Sequence, residues 1–197
     1  MKKYKFKSNL KILNDENLNN YNLNNKAINI INVNYDVKKN GSKKISNENF
    51  YIRKSFEIAF DIINRGISYK LINGPISKSK FLRGKFPGIT EFLINKFRSN
   101  KSAMLIYNKK LSVCPVTTHL PIKEVAKNIS QKIIIEKAIL INYFYKRYFN
   151  FKPKIGIVGL NPHCESFDKF NEDEAIIKPA VNFLKKKINI TGPFAAD

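Results

Sequence analysis

The chain is short of the residues that build disulfide scaffolds, membrane spans and acidic surfaces. Its 197 residues include two cysteines, Cys114 and Cys164. That is too few for a disulfide framework, so a reducing, cytoplasmic setting is expected. No CxxC pair occurs, which excludes zinc clusters of that type. No apolar run is long enough to span a bilayer, and a membrane partner is not expected. The basic start MKKYKFKSNL lacks the apolar stretch that follows in a signal peptide. Acid is scarce too, with 15 Asp and Glu against 36 Lys and Arg and a formal charge of +21. Histidine occurs twice, as His119 and His163.

What remains is the composition of a globular protein, 43% hydrophobic and 12% aromatic. The charge invites a nucleic-acid reading, because basic surfaces attract phosphate backbones. The lysines, however, are scattered through every segment and accompany equally heavy Asn and Ile. All three belong to A/T-rich codons, so composition bias accounts for them together and no nucleic-acid partner is expected. Lys185, Lys186 and Lys187 fit a solvated helix face. The surplus charge still favours anionic small molecules, phosphates included.

Along the chain, residues 1–26 read as an irregular lead-in rich in Asn and Lys. Residues 27–35 (AINIINVNY) alternate as a half-buried strand does. Residues 48–65 show helical spacing, with Ser46 and Asn47 as candidate caps and Gly66 as the stop. A short strand is expected at 68–72, then the turn Asn73-Gly74-Pro75. A helix follows at 89–97, and strands at 103–107 and 111–116 are joined by a turn. Pro121 opens a helical stretch to Asn128, and Ser130 caps a long helix over 131–149. Residues 154–160 (KIGIVGL) read as a strand covered on both faces, and 172–187 as the last helix. The alternation of strands and helices argues for α/β layers.

Both histidines fall just past a predicted strand, His119 in VTTHLP and His163 in GLNPHCES. In open α/β folds chemistry collects at the carboxyl ends of strands, and a pair of imidazoles there points to a metal or acid–base site. Cys164, beside His163, is expected to point away from it, and Cys114 to pack in a strand.

The strings INGPISK (72–78), FPGITEF (86–92), TTHLP (117–121) and GLNPHCES (159–166), with the closing GPFAAD, carry a resemblance. Their order is similar to that of the 4-hydroxythreonine-4-phosphate dehydrogenase family of pyridoxal-phosphate biosynthesis, over residues 27–197. The resemblance implies a three-layer α/β/α fold of two intertwined domains, isocitrate-dehydrogenase-like, of which this chain holds portions. It implies a homodimer that oxidises the phosphorylated substrate 4-phosphohydroxy-L-threonine, with NAD or NADP as cofactor and a divalent metal (Zn, Mg, Co or Mn).

Two of that family's three metal-binding histidines match His119 and His163. Lys78 matches a lysine at the cleft, with a role in holding a substrate anion or in proton transfer. Thr90 matches a substrate-binding threonine, for which helix capping is the competing role. Asn161 is expected to fix the turn before His163, and Asp197 matches an acid near the metal. The chemistry suits these types: a metal on neutral imidazoles lowers the pKa of a bound alcohol, and the cofactor takes the hydride. All four of His119, His163, Lys78 and Thr90 are expected around one cleft.

The sequence also departs from the family. Ile89 stands where the family has a substrate-binding His, so affinity is reduced or the substrate differs. The loop after His163 reads CESFDKFNEDE in place of a glycine-rich continuation. The family's opening strand, third His and later substrate-binding residues have no match, so the chain is expected to be a truncated, inactive fragment that aggregates readily. A paralogous dehydrogenase acting on a threonate or erythronate phosphate is the alternative enzyme. A basic nucleic-acid-binding protein is the alternative from another class.

Overall fold

The computed structural model describes residues 9–21, 23, 26–35, 42–99, 101–166 and 170–195, with the backbone alone for 42–47. The chain divides into two compact units, Met1–Lys85 and Phe86–Asp197. Helices and strands mix in both, so the α/β expectation holds.

In the first unit, β1 (Asn9–Leu13) pairs in parallel with β2 (Ala27–Ile31), from Asn9 opposite Ala27 to Leu13 opposite Ile31. The expected irregular lead-in is thus corrected at 9–13. The string NLKIL buries Leu13 but leaves Leu10 and Ile12 exposed, so the strand owes its order to hydrogen bonding with β2 rather than to its own pattern. Helix α1 (Ser42–Asn64) starts earlier than expected and takes in Ser46 and Asn47, which therefore do not cap it. Phe56 and Phe60 of α1 are buried, and Phe81 of α2 (Lys78–Leu82) stacks on Phe56 with centroids 5.5 Å apart. Arg65 donates to the carbonyls of Asp15 and Glu16 at 2.8 and 3.2 Å and to the Asp61 carboxylate at 3.0 Å. It ties the turn after β1 to the end of α1.

No strand forms at 68–72. There the Ser68 hydroxyl accepts from the Lys70 N–H and donates to the Lys70 carbonyl, both at 3.2 Å. Such local bonding competes with a ladder.

The second unit holds α3 (Ile89–Lys96), α4 (Ile122–Asn128), α5 (Gln131–Phe149), β3 (Ile155–Val158), α6 (Lys178–Lys185) and β4 (Ile190–Phe194). Helix α5 has the bounds its sequence predicts. Ser130 accepts from the Ile133 N–H at 3.3 Å, and Asn150 closes the other end with a left-handed φ of 50°. Ile134, Ala138 and Asn142, one helical face, are its buried residues. Ile134 and Ala138 meet Ala180, Val181 and Leu184 of α6, all fully buried, and Ile190 of β4.

Strands β3 and β4 pair in parallel with an irregular step between Gly156 and Val158. Gly156 and Val158 are exposed, so β3 is covered on one face and the two-face expectation is corrected. The two strands expected at 103–116 reduce to one antiparallel bridge, Ile106 with Val113. Asn108 and Ser112 bond each other's polar groups across the turn, and both bridge residues are exposed, so little apolar burial extends the pairing. The last helix starts as a π turn, Asp173–Ile177, before α6. Pro179 has no N–H to return to residue 175, which favours the wider turn.

Candidate active site

Two of the motif strings meet in the second unit. Gly88 is the N-cap of α3, which makes Ile89, Thr90 and Glu91 its first turn. The acid in that turn lies in the favourable field of the helix N-terminus. Glu91 Oε1 accepts from the Thr118 hydroxyl at 3.2 Å and lies 3.8 Å from His119 Nε2. That second separation is too long for a hydrogen bond but short enough for charge pairing with a protonated ring. A Cβ on Gly88 would stand 2.7 Å from Glu91 Oε2 and 3.2 Å from His119 Nε2. A side chain at position 88 would have to displace the Glu91 carboxylate end from its place beside the TTHLP turn.

Glu91 Oε2 is buried with no hydrogen-bond partner. An orphaned buried acceptor costs about 1–3 kcal/mol, and such groups cluster where function maintains them. His119 itself is exposed and sits at φ 57°, a region that non-glycine residues rarely occupy.

The third string is a turn held from below. His163 and Cys164 have φ of 55° and 59°, two successive left-handed residues in the 3-10 turn Pro162–Cys164. The Asp173 carboxylate, 1% exposed, accepts the Leu160 N–H at 2.8 Å, the Asn161 N–H at 3.0 Å and the Asn161 side-chain amide at 3.1 Å. Asn161 thus fixes the turn as its sequence position predicts. Asn171 adds a weaker tie, its side-chain amide donating to the Cys164 carbonyl at 3.4 Å. The segment is not extended, so the argument that adjacent residues point oppositely does not apply to Cys164. Its sulfur lies instead 2.6 Å from where a Cβ on Gly159 would stand.

Lys78 belongs to the first unit, where it opens α2 with its side chain exposed. Ile89 and Thr90 are half-buried, and Thr90 does not cap α3, because Gly88 holds that position without a side-chain bond. The capping role is thereby removed for Thr90. Cys114 is half-buried, and burial pushes its thiol up from the usual cysteine range while the Lys137 ammonium partly opposes this. That fits packing rather than nucleophilic chemistry. Asp197 lies outside the described residues.

Imidazole nitrogens are good donors to a divalent ion. Among the described residues, however, no group of three or more His, Cys, Asp or Glu side chains converges to hold one. These residues alone do not make a metal centre. Sequence reasoning missed Glu91 and Asp173. The acid of GITE, three residues past a helix-starting glycine, was a legible signal for the first. The second had only an acid near a helix start.

The chain is thus a parallel-stranded α/β protein with polar turns beyond its strands, one of them carrying His163 past β3, the place where open α/β folds hold their ligands. Residues 2–197 match the family described as pyridoxal phosphate biosynthetic protein PdxA. A 4-hydroxythreonine-4-phosphate dehydrogenase from a Sulfurihydrogenibium species is 42% identical over 132 residues, covering 64% of this chain and 41% of that protein. Its counterpart from Neisseria meningitidis serogroup A is 35% identical over 155 residues, covering 75% of this chain and 47% of that protein. The crystal structure of the 4-hydroxythreonine-4-phosphate dehydrogenase of Klebsiella pneumoniae shares the fold, with a TM-score of 0.70 at 24% identity, over 95% of this chain and 59% of that one. The chain belongs to the pyridoxal phosphate biosynthetic protein PdxA family. It spans about half the length of the curated relatives it matches. The match also takes in residues before Ala27, beyond the resemblance read from the motifs.

Proposed function

We propose that this chain carries part of the site of a dehydrogenase acting on 4-phosphohydroxy-L-threonine in pyridoxal 5'-phosphate biosynthesis. NAD (or NADP) is its hydride acceptor, and a divalent ion is its metal. The contact of the GITE helix start with the TTHLP turn carries the reading, because it gathers Glu91, Thr118 and His119 where the family resemblance assigns substrate and metal. His119 and His163 are two metal donors, completed by a third from outside the described residues. The Thr90 hydroxyl and the α3 N-terminus suit a substrate oxyanion. Lys78 suits a substrate anion or a proton transfer. The family's homodimeric assembly and a cytoplasmic location belong to the same reading. Among the described residues no helix is long and apolar enough to cross a membrane.

Ile89 favours a second reading, a phosphorylated hydroxy acid of the threonate or erythronate type. A half-buried hydrocarbon in the first helical turn cannot donate the hydrogen bond that an imidazole would give. NADH formation should be measured with both substrate classes, with divalent metal added and after chelation. The protein is to be expressed with any sequence that flanks these residues, and in parallel as the 197-residue chain. We expect metal-dependent turnover of 4-phosphohydroxy-L-threonine by the flanked protein and none by the 197-residue chain. Turnover only of the hydroxy-acid phosphates supports the second reading, and turnover of neither by the flanked protein removes both.

A further inference from the structure

We infer that Asp173 is the positioning residue for His163. The residue lies outside every motif that pointed to the site, on the π turn before α6, yet its carboxylate collects three of the donors that shape the GLNPH turn. Oδ1 takes the Leu160 N–H and Oδ2 takes both the backbone and side-chain N–H of Asn161. Charge-assisted bonds of this kind are the strong ones, and a carboxylate with 1% exposure is retained only when they satisfy it.

Its own N–H is spoken for as well, donating to the Asn171 side-chain oxygen at 2.9 Å. The π turn is therefore anchored at the same point as the carboxylate.

The turn needs such an anchor. Two successive non-glycine residues at positive φ are strained, and persist only where the surroundings over-determine them. The room for it is narrow too. A Cβ on Gly159 would lie 2.9 Å from Asp173 Oδ1 as well as against Cys164 Sγ, so the residue just past β3 is glycine where the carboxylate reaches the turn. Asp173 thus touches nothing that reacts. It sets the backbone from which the His163 ring projects, two residues beyond Asn161. This rests on the reading that His163 is a site residue, but the geometry itself can be tested without metal, cofactor or substrate.

The chain has two histidines, so its imidazole C–H resonances are two sets, assignable with His163→Gln. In the full chain we expect Asp173→Asn to shift or split the His163 resonances and leave those of His119 in place. The Leu160 and Asn161 amides should exchange with solvent at least about tenfold faster, the equivalent of about 1.4 kcal/mol. Asn161→Ala, which removes one of the three bonds to Asp173 together with the side-chain bond to Glu172 at 3.1 Å, should do the same to a smaller degree. It also serves if Asp173→Asn does not fold. Asp173→Glu, which keeps the charge, should recover part of the His163 signal. Unchanged His163 resonances in either folded variant would overturn the inference. So would equal displacement of His119 and His163, which marks a general loss of stability rather than positioning. Failure of the dehydrogenase assay leaves this result standing, and the reverse holds as well.

Discussion

A methyl group added at Gly88 and one added at Gly192 meet different obstacles. At Gly88 the backbone is extended, and the nearest atom is the far end of the Glu91 side chain. At Gly192, φ is +125° and the obstacle is the carbonyl of Ile157, in the paired strand. We expect Gly192→Ala to lower stability by at least about 2 kcal/mol, from backbone strain and an immovable neighbour. Gly88→Ala should cost less than about 1 kcal/mol, because the carboxylate can swing aside. Urea unfolding checks both, and equal losses would contradict the contrast. The same scale shows what the sequence made legible. Asn161 and His163 could be placed in a turn just past β3, whereas the strand expected before His119 reduces to the bridge at Val113. The buried oxygen of Glu91 and the clamp by Asp173 were not legible, because an acid's burial and its bonding partners are properties of the folded neighbourhood.

Among the elements, α5 was readable end to end, because its cap, its apolar spacing and its left-handed terminator all lie within its own residues. Ser130→Ala removes the bond to the Ile133 N–H and should cost about 1 kcal/mol of stability, measured by thermal unfolding with helix content followed by circular dichroism. No change would show that the cap is solvated equally well without the hydroxyl. Strand β1 was not readable, since it depends on β2 for its partner, and the expected strands at 68–72 and 103–116 were lost to side-chain bonds of Ser68, Asn108 and Ser112. Apolar alternation reports what a segment can bury, but the ladder depends on what stands beside it. The break between the π turn and α6 was likewise hidden behind a single helical period.

At the scale of the whole molecule, the α/β class and the family were legible from the motif strings, whose order survives in a chain biased towards Lys, Asn and Ile. The division into two units at Lys85 was not legible, because no linker composition marks it. The central claim is that His119 and His163 serve one metal-dependent site. Manganese titration of the protein expressed with its flanking sequence, followed through the His119 and His163 imidazole resonances, tests it most directly. Paramagnetic broadening acts only near the bound ion. The account predicts that both sets broaden together at substoichiometric manganese and recover together on chelation. Broadening of one set alone, or of neither, would contradict it.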